Sequence, residues 1–308
     1  MRDTMRREPR PAVRLNSIVA ACAAIASCAL ICGANAQDAP KASAQAATPV
    51  VVRDGTQDAI HASNREIYAG IGGQRLQYTE IIDDRFGDSE IGKQAAAIVG
   101  ASWMGSLLDA TDLLVQGRYA FARGKSAYTG FLENLQTGVL TPYDSSTDIE
   151  TADWQMRVGS GFEDDDRDGM LVTFVEFGEH RWVRDSTKTD PYGYLEMYRH
   201  KFIEAGLEGQ VLLAPALVGS LGVDLGTTFG AHISAPALGV STTLKHERML
   251  GVTFAIDYSP VPHLHLKAEY RNLSFRYGRS AVTSNLNLFE PDSYSYQSTA
   301  FLSIGFGF

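Results

Sequence analysis

The sequence predicts an all-β chain, a transmembrane antiparallel up-and-down β-barrel of about ten strands. Three observations lead there. The first is strict alternation: in 246–258, Leu250, Val252, Phe254, Ile256 and Tyr258 alternate with Gly251, Thr253, Ala255 and Asp257. A period of two is that of a strand with one apolar face. The second is rhythm, since ten such segments are separated alternately by shorter turns and longer loops. The third is the final stretch "FLSIGFGF", where Leu302, Ile304, Phe306 and Phe308 alternate with Phe301, Ser303, Gly305 and Gly307 and the last side chain is aromatic.

In chain order, the first element is an export signal. Arg2, Arg6, Arg7, Arg10 and Arg14 precede the apolar run "LNSIVAACAAIASCALICGANA", which ends in small residues. Ala34-Asn35-Ala36 has the small-x-small form of a signal-peptidase site, so residues 1–36 read as a signal peptide and the mature chain as starting at Gln37. A membrane-anchor helix and lipoprotein processing at Cys28 are the alternatives. All three cysteines (Cys22, Cys28, Cys32) lie inside the signal, which excludes a disulfide-stapled scaffold. The whole chain carries a net charge of -9. Removing 1–36 takes away five arginines and two acids, leaving 22 basic residues against 34 acidic ones. That balance argues against nucleic acid as a partner.

Residues 37–64 are rich in Ala, Pro, Ser and polar side chains and read as a flexible periplasmic leader. From 65 to 308 the chain reads as the barrel. The ten segments fall at 66–80, 93–105, 112–124, 149–163, 169–183, 194–208, 218–230, 246–258, 263–277 and 294–308. "SLLDAT", "EDDDRDG", "EGQVLLAPAL" and "SPVP" are the shorter connections. The other five, including 124–148 and 278–293, are longer on average. Four turns interleaved with five loops put both termini at one end, the arrangement of bacterial outer-membrane barrels. Two strands do not declare their facing. In 66–80, Tyr68, Gly70 and Gly72 oppose Ile67, Ala69 and Ile71. In 194–208, Arg199 and Lys201 share parity with Met197 and Ile203, which a bulge or a strand rising above the bilayer would explain.

A secreted β-sandwich also alternates. Against it stand the charges in mid-strand, the aromatic residues near strand ends (Trp103, Tyr119, Phe121, Tyr258, Tyr294, Tyr296) and the terminal Phe308. The closing strand "SYSYQSTAFLSIGFGF" resembles the sorting signal of the Gram-negative outer-membrane β-barrel superfamily, with 66–308 as the region of likeness. The resemblance implies location in the outer membrane. It also implies that the barrel-assembly machinery reads Leu302, Ile304, Phe306 and Phe308. "RLQYTEIIDDRFGDSEIGK" and "YGYLEMYRHKF" also resemble proteobacterial barrels of no assigned function.

The candidate lumen network is Asp153, Arg157, Glu176, His180, Asp224, Lys267, Glu269 and Arg271. A hairpin centred between Asp166 and Arg167 sets Asp153 opposite His180 and Arg157 opposite Glu176. Asp153 and His180 form a candidate catalytic pair near the outer mouth, the carboxylate orienting an imidazole general base. The competing reading is a satisfied charge network, since a buried charge needs a partner. Omptin proteases have barrels of this size with Asp and His at the rim, but no local match to their pattern is found. His263 and His265 have the H-x-H spacing of a metal pair. "EDDDRDG" lacks the full ligand set of a calcium loop. No cofactor is expected. Ten strands leave a narrow bore. The expected function is that of a non-enzymatic barrel whose outer loops meet lipopolysaccharide, other envelope components or external ligands. A rim hydrolase and a narrow channel are the alternatives.

Overall fold

The computed structural model describes residues 57–308 apart from 83–84, 109–110, 135–136, 164–167 and 283–288. The signal peptide, its cysteines and most of the leader therefore lie outside the described residues, as does the centre of "EDDDRDG".

A short helix α1 (Gln57–Ser63) leads into strands β1 (Glu66–Ile82), β2 (Arg85–Leu108), β3 (Thr111–Glu133), β4 (Leu140–Glu163) and β5 (Gly169–Asp185). β6 (Leu195–Ala214), β7 (Leu217–Ala235), a four-residue β8 (Val240–Thr243), β9 (Arg248–Val261), β10 (Leu264–Tyr277) and β11 (Asp292–Gly307) follow. Each strand pairs antiparallel with its neighbour, β8 being a short addition beside β7 while β9 continues the wall. β11 returns to β1 with Glu66 opposite Gly307 and Ile81 opposite Asp292. That pairing closes ten strands into a barrel without a free edge, as a strand-built wall in lipid requires. Among the described residues no helix is long and apolar enough to cross a membrane.

Alternation assigns the two faces. Outward stand Ile67, Ile71, Val99, Trp154, Leu225, Ile256 and Leu266, each about 40–75% exposed. Inward stand the side chains of the opposite parity, mostly buried. The two undeclared strands resolve. On β1, Tyr68 faces the lumen and Ile67 and Ile71 face out. On β6, Arg199, Lys201 and Ile203 all face out, because the strand runs past the apolar band into the polar zone. The β6–β7 register also shifts between Arg199 and Lys201. Its cause is Gly230, whose φ of 58° is a left-handed conformation that a side chain would resist. Past it the inward parity of β7 switches from Asp224 and Thr228 to Ala231 and Ile233.

Two expectations change. The first and second long loops are mostly strand. β1 runs to Ile82 and β2 starts at Arg85, and β3 and β4 extend to Glu133 and from Leu140. These extensions carry polar residues on both faces with only scattered apolar ones such as Phe131 and Leu140, so their sequence lacks the alternation that marks a lipid-facing strand. The leader also ends in structure. Ile60 of α1 is 3% exposed and packs with Met104, Leu114, Met170, Val172 and Val218 across the terminal end of the bore. Asn64 hydrogen-bonds Gln210 there at 2.7 Å. One apolar residue in a polar segment gives no period to read.

The closing strand now has a steric reason for its glycines. A Cβ at Gly305 would run into Glu66 Oε2, and one at Gly307 would press on His265 Nε2. The inward glycines leave room for side chains from the strands on either side. Leu302, Ile304, Phe306 and Phe308 point outward, 58–69% exposed.

A Gly305→Leu variant is expected to displace Glu66 from Lys267 and leave a buried charge unpaired, at about 3–5 kcal/mol. Phe306→Leu on the lipid side should cost under about 1.5 kcal/mol. The temperature at which the folded band disappears from unheated-versus-heated gels in detergent compares the two.

Candidate functional site

The bore is filled at three levels, and each is built from neighbouring strands by parity. At the terminal level α1 closes the opening, and His61 Nε2 lies 3.0 Å from Asp112 and Nδ1 3.4 Å from Glu163. Just above it, Glu66, Asp257 and His265 converge, with His265 Nδ1 2.7 Å from Asp257 and Lys267 Nζ 2.5 Å from Glu66. Either trio has the donor set for a divalent cation. At the upper trio, Lys267 already supplies a positive charge to Glu66. The H-x-H pair does not converge. His265 faces the lumen, whereas His263 sits in the β9–β10 turn with φ 66° and its Nδ1 3.0 Å from the Gly307 carbonyl.

The middle level is a charge lattice. Arg271 on β10 lies 3.3 Å from Glu176 on β5, 3.2 Å from Glu204 on β6 and 3.5 Å from Asp224 on β7. Its Nη1 donates to Gln155 Oε1 on β4 at 2.9 Å. Arg157 spans Glu176 at 3.0 Å and Glu208 at 2.8 Å, with its guanidinium 3.8 Å from the centre of the Phe174 ring. Arg118 donates to Glu269 at 2.8 Å and to Gln155. β4 and β10 stand on opposite walls of the ring, so the Arg271–Gln155 bond crosses the whole bore. A cavity of about 50 Å³ lies beside this lattice, toward α1, lined by Arg118, Arg157, Glu208, Gln210, Asp257 and Lys267. It has the size of one or two waters.

The third level is where the candidate catalytic pair lies. Asp153 faces His180 across the β4–β5 ladder, as does Arg157 to Glu176, with Gln155 opposite Gly178 between them. Asp153 Oδ1 is 2.5 Å from His180 Nδ1, and its other oxygen accepts from Gln297 at 3.3 Å. This geometry orients an imidazole. It does not expose one. His180 is 1% exposed and its ring lies against His200 and Phe275, centroids 5.0 and 5.2 Å away. His200 is held by Tyr277 Oη at 3.0 Å.

Above the pair lies an element the sequence reading missed, an apolar cap inside the loop end. Leu76, Tyr78, Ile149, Trp182, Tyr198, Phe275 and Tyr277 pack together there, all nearly fully buried. Trp182 stacks on Tyr198 at 4.8 Å. Arg184 lies 2.5 Å from Glu90 and is also paired with Glu196. Glu290, just before β11, reaches back to the cap. Glu290 Oε1 accepts from Tyr78 Oη at 2.7 Å and Tyr198 Oη at 2.8 Å. Burial, and then Glu196 nearby, push the Glu290 carboxyl up to about 7, against the two tyrosine hydroxyls and Arg184. The pair expected near the outer mouth is thus roofed over. The parity of Glu196, Tyr198, His200, Phe202 and Glu204 would have shown this wall, had Arg199 and Lys201 not obscured the facing of β6.

No protein-family model matches the chain. No curated protein matches it either. Solved structures do. The outer membrane protease OmpT of Escherichia coli aligns over 80% of this chain and 98% of its own, at a TM-score of 0.53 and 12% identity. The fold is that of a bacterial outer-membrane barrel. The translocator domain of the autotransporter NalP from Neisseria meningitidis aligns over 95% of this chain and 98% of its own, at a TM-score of 0.37 and 13% identity.

Two outcomes are expected. Arg271→Leu leaves Glu176, Glu204 and Asp224 without their shared cation and should destabilise the barrel by about 3–5 kcal/mol, read as the unfolding temperature in detergent. The Glu290 contact should weaken as pH rises. Its folded carboxyl is raised to about 7 from an unfolded value of about 4.3, so its contribution is full below the lower value and is lost on passing the upper. Hydrogen exchange at the Ser280 amide, which bonds the Glu290 carbonyl at 3.0 Å, should quicken between pH 5 and 8 beyond the intrinsic rate, and Glu290→Gln should remove that excess.

Proposed function

We propose that the chain is a non-enzymatic barrel of the Gram-negative outer membrane, closed to transport, that presents its loop end to the exterior as a binding surface. The observation that carries this reading is the bond from Arg271 to Gln155 between opposite walls, set within the lattice of Glu176, Glu204 and Asp224. A channel needs a continuous wet path, and here the helix, the lattice and the cap each interrupt it. A hydrolase needs its base within reach of a substrate, and His180 lies beneath Trp182, Tyr198 and Phe275. OmpT is a protease by name, and the likeness to it is one of fold. What remains exposed at the loop end is mostly strand extension, such as Leu140–Ser146 of β4 and Phe131 of β3. Loops and extensions on a fixed scaffold are where binding resides. Export through the signal at 1–36 and delivery by the assembly machinery through Leu302, Ile304, Phe306 and Phe308 complete the reading, with lipid and lipopolysaccharide as its surroundings.

In planar lipid bilayers the purified barrel is expected to show no discrete conductance above background. Reproducible single-channel steps would overturn the closed reading. Asp153→Ala and His180→Ala, made separately, should lower the unfolding temperature and leave peptide cleavage by expressing cells unchanged. Selective loss of a cleavage activity with the barrel still heat-resistant would overturn the non-enzymatic one.

A further inference from the structure

The chain is acidic as a whole, with a net charge of -9. Its outward face is not. Arg75 on β1, Lys93 on β2 and Lys125 on β3 are direct register partners, one beside the next, and all three are exposed. Lys125 lies 3.8 Å from Asp148, and among the described residues Arg75 and Lys93 have no ion-pair partner. A second group recurs on the far wall. Arg181 on β5 is directly opposite Arg199 on β6, and Lys201 follows one outward position nearer the terminal end, beside Glu179.

Opposed residues on neighbouring strands have Cβ atoms about 4.5–5.5 Å apart, where like charges repel. Evolution of a plain solvated rim would scatter signs, because mixed charges satisfy one another. Stacking cations across three consecutive strands makes sense when an anion lies against them. The height of the groups identifies that anion. On β2 the outward side chains from Trp103 to Ala95 are apolar or small, and Lys93 is the next. Eight residues at about 3.4 Å, tilted by about 40°, span roughly 20 Å of membrane. On β5 and β6 the outward apolar pair Phe177 and Ile203 is followed by Glu179 with Lys201, then by Arg181 with Arg199, and only then by the apolar pair Val183 and Met197. Both groups therefore stand where the continuous outward apolar run ends, which in the proposed membrane placement is where the headgroups begin. The distribution is also one-sided. Among the described residues, the outward faces of the strands carry these cations in the loop half and none at the terminal border, where Leu171, Leu213, Tyr258 and Phe306 stand.

We infer that Arg75, Lys93 and Lys125 form a docking surface for a phosphorylated lipid headgroup of the leaflet at the loop end, with Arg181, Arg199 and Lys201 as a second such surface. The inference rests on the membrane placement proposed above. Two or three guanidinium and ammonium groups within one phosphate's reach bind it by charge-assisted hydrogen bonds, while the apolar strands below hold the acyl chains. A lipid with two phosphates would engage neighbouring cations together.

The test uses the full-length barrel in a nonionic detergent, with diphosphorylated lipid A and its dephosphorylated form as probes, read by native mass spectrometry. Wild type is expected to retain the diphosphorylated lipid at least tenfold more strongly than the dephosphorylated one. Lys93→Gln/Lys125→Gln should reduce that retention about tenfold, and Arg181→Gln/Arg199→Gln should remove a second bound copy. Folding of the variants is checked by their heat-modifiable mobility, since all four positions are on the outer surface. Equal retention of the two lipids, retention unchanged in both variants, or displacement by millimolar inorganic phosphate would overturn the inference. None of these results touches the closed-bore reading, which conductance decides.

Discussion

The interaction on which the rest of the structure depends is the contact of the Arg271 guanidinium with Glu176, Glu204, Asp224 and Gln155. A ten-strand ring is too narrow to keep such groups hydrated separately. They must find each other across the bore or remain charged without compensation. Arg271 reaches four strands at once because a planar guanidinium presents five donors in fixed directions. Arg157 and Arg118 repeat the device on the neighbouring carboxylates. The result is a lattice that fixes opposite walls relative to one another, where a porin would keep water.

The lattice also decides how the two ends are finished. Toward the termini, space remains beside the charges, and α1 fills it with Ile60 and Asn64. Toward the loops, carboxylates give way to rings, and Tyr78, Trp182, Tyr198 and Tyr277 build a small hydrophobic core inside the wall. That core covers an Asp–His contact of good geometry, which is the ground for the non-enzymatic reading proposed above. The same hydrogen bond between Asp153 and His180 would orient a base if water and substrate could reach it. Under the cap it positions two side chains in a packed interior. Chemistry depends on access as much as on distance.

The outer surface has its own asymmetry, independent of the bore. Apolar side chains form one band around the wall, and cations gather on one border of it. A wall between two identical surfaces has no reason for that difference. In the membrane placement proposed above the two borders face different surroundings, and register partners of like charge would mark the anionic one.

The sequence by itself determined the strand count, the period and the outward face of most strands, because lipid on one side imposes an unbroken apolar parity on residues such as Leu250, Val252 and Phe254. It also determined the opposition of Asp153 to His180, since an antiparallel hairpin with a short turn leaves one register. It could not show the strand extensions at Arg85–Glu90 and Leu140–Asp148, where polar residues stand on both faces and the period vanishes. Nor could it show that His180 is roofed, or that Gly305 and Gly307 are small to admit Glu66 and His265. Those facts depend on strands brought together from opposite ends of the chain, such as β1 against β11, and on five strands converging around Arg271. Parity is local and written along one strand. The contents of a bore are set by what all the walls place at the same height, and only closure of the ring decides that.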